Sequence, residues 1–349
     1  MGIVVLKFGG SCLATPEKIK KRAEQIKEFY QRGNKVIVVV SAMGQQTNDL
    51  VKLAYQVSEA PHRRELDMLL STGERISMAL MSMVLNDIGC PAISFTGSQA
   101  GILTEEHHNN ARIKEIKPIR VEEELNKNKV VIVAGFQGVN PITKEVTTLG
   151  RGGSDTTALA LAKHFKGDCY VYKDVPGVCN ADPNIYKNAK TIQNLSHDQL
   201  IELCQSGARV LHLRAAELAK EINLNYRIVD ADNPGLFSQL TNTNNPLFKA
   251  ISIVNEVSVI KKDFDFHNWL EDMSLNFPHT FNIKDQICFW GDLEVISPIH
   301  KMLQEQNINF VKSMSFINLI CEGKETERIL CSTDKCQEIA RNYETFLNS

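Results

Sequence analysis

The sequence predicts an α/β sandwich on a central, mostly parallel sheet, followed by a smaller α+β domain. Over the first 230 residues, short β-rich runs alternate with amphipathic stretches at helical spacing. The first two runs, Ile3–Phe8 and residues 36–40, are largely apolar, as strands buried on both faces must be. Beyond the polar stretch Thr241-Asn242-Thr243-Asn244-Asn245-Pro246 the pattern changes to alternation of apolar and polar residues, the mark of half-buried strands.

The elements follow in order. Ile19, Ala23, Ile26 and Tyr30 recur at helical spacing behind Thr15-Pro16, which suits an N-cap and a first turn. The Met- and Leu-rich residues 76–85 read as a core helix. Val130–Ala134 and residues 169–173 are further strands, and residues 154–165 and 199–203 are helical. Asp232-Asn233-Pro234-Gly235 is a turn, and the polar stretch after it is the better linker, so the domains are placed at residues 1–240 and 248–349. In the second, Ile251, Ile253, Val257 and Val259 alternate, as do Phe281, Ile283, Ile287 and Phe289, like half-buried strands. Val295, Ile296, Ile299, Met302 and Leu303 mark a helix face, Phe310–Cys321 a strand, and residues 335–346 a last helix.

Composition narrows the function. A formal net charge of −2 makes no electrostatic case for nucleic acid or an anionic membrane. No apolar run approaches the roughly 18 residues that span a bilayer. The first residues lack a basic leader and a cleavage site, and they read as a strand. Nine scattered cysteines, with no zinc-like spacing, suit free thiols in a reducing cytoplasm.

Four segments carry candidate chemistry. In Lys7-Phe8-Gly9-Gly10-Ser11, two glycines let backbone amides approach an anion at a helix start, and Lys7 adds a point charge. Taken alone such a turn is more often structural than catalytic, and it is not a Walker A loop. Ser41-Ala42-Met43-Gly44-Gln45-Gln46-Thr47 follows the second strand, where ligands of parallel sheets gather, although a capped turn reads the same way. In Ser71-Thr72-Gly73-Glu74-Arg75, Glu74 adjoins an apolar run and needs a partner if buried. The most specific is Thr147-Thr148-Leu149-Gly150-Arg151-Gly152-Gly153-Ser154-Asp155-Thr156-Thr157, behind Gly135-Phe136-Gln137-Gly138. There a glycine frame presents the Arg151 fork to a carboxylate, and Ser154 opens a second anion-receptive helix.

These segments, in this order, resemble the aspartate kinase branch of the amino acid kinase family. Phe95-Thr96-Gly97, Asn110-Ala111-Arg112-Ile113, Lys173-Asp174-Val175, Ala181-Asp182-Pro183 and Gly207-Ala208-Arg209-Val210-Leu211-His212 extend the likeness over residues 1–240. The resemblance implies a three-layer amino acid kinase fold and transfer of the ATP γ-phosphate to the side-chain carboxylate of L-aspartate, a first step towards lysine, threonine and methionine. It implies Lys7, Gly9, Gly10, Ser11 and Ser154 at the nucleotide phosphates, with Ser41 near the γ-phosphate and Thr47 near the aspartate side chain. Glu74 would hold the substrate ammonium and Arg151 its α-carboxylate. Asp155 would organise the transferring group. Lys173, Asp174, Asn180, Asp182, Pro183 and Arg209 would line the nucleotide site, with Mg²⁺ bound mainly through ATP. Cys12, Pro176, Cys179-Asn180 and Arg209 depart from the family pattern and bear on nucleotide affinity.

The implied chemistry suits this residue set. A carboxylate nucleophile with a pKa near about 4 is already ionised and needs no general base. The task is to bring two anions together, which calls for positioning and cations. A sister kinase with another carboxylate or nucleotide substrate, and a non-catalytic regulatory homologue, are the alternatives. Residues 248–349 resemble an ACT regulatory module in Ile308-Asn309-Phe310-Val311 and residues 316–321, without the usual glycine turn near residues 263–269. That implies a homodimer or higher homo-oligomer joined partly through this region, with weak or absent inhibition by lysine or threonine. The alternative is a drifted but working sensor.

Overall fold

In the computed structural model the described residues are 2–208, 210–261, 265–272, 279–283, 286–290, 293–306, 308–324, 326–341, 343 and 346–347. They divide into two units: Met1–Val178, Thr191–Ile201 and Val210–Asn244 form the first, and Cys179–Lys190, Glu202–Arg209 and Asn245–Ser349 the second.

The strands of the first unit are β1 (Ile3–Phe8), β2 (Lys35–Val40), β3 (Ala92–Phe95), β4 (Ile102–Thr104), β5 (Ile113–Ile116), β6 (Val130–Ala134), β7 (Gln137–Val139), β8 (Val146–Thr148), β9 (Asp168–Lys173), β10 (Asn194–Ser196), β11 (Tyr226–Asp230) and β12 (Phe237–Thr241). Its helices are α1 (Pro16–Gln31), α2 (Gln46–Val57), α3 (Arg63–Leu70), α4 (Thr72–Asp87), α5 (Ile119–Asn126), α6 (Gly153–Phe165) and α8 (Leu213–Glu221), with α7 (His197–Gln205) at the unit boundary. Eight strands form one sheet in the order β10-β12-β11-β9-β1-β2-β6-β3. All neighbours are parallel except β11 and β12. The sequence reading identified the central strands of this sheet. It did not identify the four-stranded sheet β5-β4-β7-β8, whose strands are too short to show a period.

Alternate residues of the central strands face opposite ways, which builds the layers. Leu6, Phe8, Val38, Val40 and Ile132 pack with Ile19, Ala23 and Ile26 of α1 and Met81 and Leu85 of α4. Val5, Ile37, Val39, Val133 and Val171 are equally buried, and α6, which packs on β1, β2 and β9, covers that second face. α1 begins as predicted: the Thr15 side chain accepts from the Lys18 amide at 3.3 Å, and Pro16 opens the first turn. The predicted core helix at residues 76–85 starts earlier, at Thr72, so Glu74 sits in its first turn. One side of it is solvent-facing, with Ile76 and Met83 exposed, which corrects the reading of every Met there as core.

In the second unit, β13 (Lys249–Lys261), α9 (Phe266–Asp272), β14 (His279–Ile283), β15 (Gln286–Trp290), α10 (Leu293–Glu305) and β16 (Phe310–Cys321) run β-α-β-β-α-β. β17 (Glu327–Ser332) and α11 (Thr333–Arg341) follow. The sheet order is β14-β15-β13-β16-β17, antiparallel throughout. The alternation across residues 281–289 belongs to an antiparallel pair, β14 and β15, and the helix predicted to reach residue 346 ends at Arg341. Phe266, Leu270, Phe289, Ile299 and Leu303 form one core cluster of this unit. Tyr186, Ile251, Ile317, Cys336 and Ala340 form another, where the Tyr186 hydroxyl donates to the Ala340 carbonyl at 2.5 Å.

One buried cation ties α1 to the loop after β11. The Arg22 guanidinium, 1% exposed, donates to the Ala231 carbonyl, to Asp232 and, at 3.1 Å, to Gln25. Hydrogen bonds from Lys21 and Arg22 pull the Asp232 carboxyl down to about 2. Arg22→Met keeps the stem and removes these donors, and it lowers the urea-unfolding free energy by about 1–3 kcal/mol. An unchanged unfolding midpoint would mean that water replaces the guanidinium without loss.

Candidate active site

The carboxyl ends of β1, β2, β6 and β9 lie side by side, the place where open parallel sheets present ligand-binding loops. Lys7 comes from β1 and Lys173 from the end of β9, and the two strands are paired neighbours. Between the two ammonium groups stands Asp155, in the first turn of α6. Lys7 Nζ lies 2.6 Å from Asp155 Oδ1, and Lys173 Nζ lies 3.0 Å from Oδ2. Burial opposes ionisation of Asp155, yet the charges of Lys173 and Lys7 outweigh it and hold the carboxyl down to about 2. Burial pulls the Lys7 ammonium below its ordinary range and Lys173 adds to that, while Asp155 opposes it. Two cations face one anion, so the cluster carries a surplus positive charge, suited to an anionic ligand.

Two loops and the first turn of α4 meet beside this cluster at a spacing that glycine permits. A Cβ on Gly10 would stand 2.8 Å from the Ala42 carbonyl oxygen, and one on Gly73 would stand 2.8 Å from the Ala42 Cβ. The Gly44 amide donates to the Gly10 carbonyl at 3.0 Å, and the Ser41 amide to the Phe8 carbonyl at 3.2 Å. The Ala42 amide donates to Glu74 Oε1 at 3.0 Å. Glu74 is 3% exposed, and its Oε2 has no hydrogen-bond partner among the described residues. Burial pushes its carboxyl up to about 7 against the Ala42 hydrogen bond. Half-buried Thr47 sits in the first turn of α2.

Exposed Arg151 stands between Gly150 and Gly152, at φ +71° and +72°, a conformation that favours glycine. A Cβ on Gly152 would also lie 2.3 Å from that of His212. Buried Ser154 follows in α6. Arg214 braces this loop, donating to the Leu149 carbonyl at 2.8 Å, to the Ala111 carbonyl at 3.2 Å and to the Asn110 side chain. Asp67 is wholly buried on α3 and accepts from the Thr148 hydroxyl and the Asn109 amide, with His108 Nδ1 at 2.6 Å from its Oδ2. Sequence reasoning passed over Asp67 and Arg214. The one signal for Asp67 was a lone acid among the apolar residues before Ser71.

Of the other expected residues, Gly9 and Ser11 belong to the turn after β1, where Lys18 Nζ donates to the Ser11 carbonyl at 2.9 Å. Asp174 is exposed just past β9. Asn180, Asp182 and Pro183 belong to the second unit, where the Asn180 side chain accepts from the Lys190 amide and Asp182 caps Asn184, both at 2.8 Å. Arg209 lies outside the described residues. The Cys12 thiol points into the core, 3.6 Å from the Tyr172 carbonyl oxygen. No group of three or more potential metal-ligating side chains occurs among the described residues, and both oxygens of Asp155 are taken by lysines.

Residues 2–230 match the amino acid kinase family. The chain is 51% identical over 229 residues to an aspartokinase of Corynebacterium glutamicum, covering 65% of this chain and 54% of that protein. It is 53% identical over 221 residues to an aspartokinase of Geobacillus stearothermophilus, covering 63% and 54%. The chain thus spans about half the length of the curated relatives it matches. Its fold is like that of E. coli aspartokinase III in complex with aspartate and ADP, with a TM-score of 0.79 at 19% identity over 99% of this chain and 100% of that one. The aspartate kinase from Synechocystis gives 0.61 at 30% identity, over 99% of this chain and 69% of that one.

The Glu74 environment has a measurable consequence. Its folded carboxyl titrates near 7 against an ordinary 4.5, so the folded state holds a proton that the unfolded chain has released. The stability Glu74 contributes is complete below about pH 4.5 and is lost as the pH rises through about 7. Glu74→Gln keeps the shape without the titration. The two proteins should be closely matched in stability near about pH 4, with the variant more stable near about pH 8. Parallel stability-versus-pH curves would remove the burial account.

Proposed function

This chain belongs to the amino acid kinase family, and from that premise we propose that it transfers the γ-phosphate of ATP to the side-chain carboxylate of L-aspartate. The observation that carries this reading is Glu74. A buried carboxylate with one unpaired oxygen, at the junction of the glycine loops, suits a ligand that brings an ammonium group. The relatives' identity as aspartokinases supports the same choice of substrate.

In this reading the aspartate ammonium pairs with Glu74, its α-carboxylate with the Arg151 fork, and Thr47 and Ser41 orient the reacting carboxylate and γ-phosphate. Gly9, Gly10 and Ser11 offer backbone groups to the phosphates, with Ser154 and Asp174 beside them. Lys7 and Lys173 offset the charge of two approaching anions, and Asp155 holds both ammonium groups in place. Mg²⁺ comes bound to the nucleotide and supplies further charge neutralisation, in keeping with the lysine-filled Asp155. Asn180, Asp182, Pro183 and Arg209 enter at the nucleotide only through the resemblance of their segments. We further read the second unit as an ACT-like region joining a cytoplasmic homodimer, with weak response to lysine or threonine. E. coli aspartokinase III has been seen with lysine and aspartate. In this chain Asp265 caps α9, its side chain accepting from the Asn268 amide at 3.3 Å, while residues 262–264 lie outside the described set.

Incubation with ATP, Mg²⁺ and aspartate, with hydroxylamine trapping of the acyl phosphate, tests the reaction. Product with another carboxylate alone would favour a sister kinase, and no product a regulatory homologue. Arg151→Lys raises the KM for aspartate about ten- to a hundredfold, the scale of a lost charge-assisted hydrogen bond, and leaves that for ATP nearly unchanged. Equal losses for both substrates would make Arg151 a structural residue. Millimolar lysine, threonine and methionine, singly and paired, leave activity and melting temperature nearly unchanged. Strong inhibition with a matching rise in Tm would show a working effector pocket.

A further inference from the structure

The two groups assigned to the ends of the amino acid, Glu74 and Arg151, sit on separate elements, and one buried carboxylate lies between those elements. Glu74 is in the first turn of α4, which continues directly from α3 through Ser71. Arg151 follows β8 through Leu149 and Gly150. α3 and β8 pack together and are joined at both ends. At one end Arg64 Nε donates to Glu145 Oε2 at 2.8 Å, ahead of β8. At the other, Asp67 accepts from the hydroxyl of Thr148, the last residue of β8. A third tie runs from Gln137 Nε2 on β7 to the Ser71 carbonyl at 2.9 Å.

The outer tie and the inner one differ in kind. Arg64 and Glu145 are each about a third exposed, at 35% and 37%, and such pairs contribute little. Asp67 is 0% exposed and fully engaged, by Thr148, by the Asn109 amide at 3.0 Å and by His108. A carboxylate taken wholly out of water costs free energy unless its geometry is met, so a network of this kind holds its partners in one arrangement. Thr148 also stands at the junction between β8 and the Arg151 loop, where its successor Leu149 accepts from Arg214. Among the described residues the Asp67 side chain bonds to His108, Asn109 and Thr148, and to neither the lysine cluster nor the turn after β1.

Resting on the reading of Glu74 and Arg151 above, we propose that Asp67 is a positioning residue that sets the distance between the ammonium and α-carboxylate subsites. It acts on amino-acid binding through Thr148 and leaves the nucleotide side alone. Its weight falls on KM for aspartate, because the reacting groups at Lys7 and Asp155 lie outside its network.

Steady-state kinetics of Asp67→Asn and Thr148→Val, varying each substrate with the other saturating, test this. The expected result for Asp67→Asn is an aspartate KM raised about ten- to a hundredfold, with KM for ATP and kcat within about threefold. The double variant should be no worse than Asp67→Asn alone, because both changes cut the same link. If Asp67→Asn fails to fold, Thr148→Val carries the same comparison, since it leaves Asp67 paired with His108 and Asn109. An unchanged aspartate KM, equal losses for both substrates, or additive effects in the double variant would overturn the proposal while the parent's activity stands. A parent without aspartate-dependent activity would overturn the reading of the site and the proposal with it.

Discussion

Two lysines arrive at neighbouring strand ends, Lys7 out of water and Lys173 partly so, and their mutual repulsion is held in check by one carboxylate. The rest of the first unit is arranged around that requirement. β1 and β9 must be paired in register to bring Lys7 and Lys173 together, and α6 must seat its first turn over them to deliver Asp155. A carboxylate at a helix N-terminus is also where the helix field favours negative charge. Removing Asp155 would leave the buried Lys7 ammonium without its ion-pair partner, a far larger cost than any exposed ion pair represents. The cluster therefore serves fold and chemistry together: it pins α6 to the sheet and keeps a surplus positive charge where an anion can use it.

Glu74 shows the opposite arrangement. It too is buried, but among the described residues only one of its oxygens has a partner, and its burial resists ionisation instead of being overcome. The contrast between a carboxyl held near 2 and one raised to about 7 follows from their neighbours, two cations in one case and one backbone amide in the other. A fold that stores an incompletely satisfied group at a loop junction gives up some stability for a site ready to receive a cationic partner.

The second unit carries a different lesson. The match to the C. glutamicum aspartokinase covers 65% of the chain, while likeness in fold to aspartokinase III extends over 99% of it. A β-α-β-β-α-β unit asks mainly for alternating apolar positions and a filled core, and many sequences supply both. Phe266, Phe289 and Leu303 meet that demand as members of one core cluster.

The sequence by itself pointed to the parallel sheet, because short β-branched runs such as Ile3–Phe8 and Val130–Ala134 alternate with amphipathic stretches, and Thr15-Pro16 suits a helix start. It also marked Lys7, Glu74, Arg151 and Asp155 as candidates, since charges set among glycines and helix starts show in a linear string. Their relations did not show there. That Lys7 meets Asp155, that Glu74 keeps one oxygen unpaired, and that Asp67 ties α3 to β8 depend on residues far apart in the chain. The short strands β4, β7 and β8 escaped notice for a related reason, being too brief to carry a period and held in place by their partners. Local propensity and periodicity are written into neighbouring residues, whereas burial and ion pairing arise only when distant segments exclude water together.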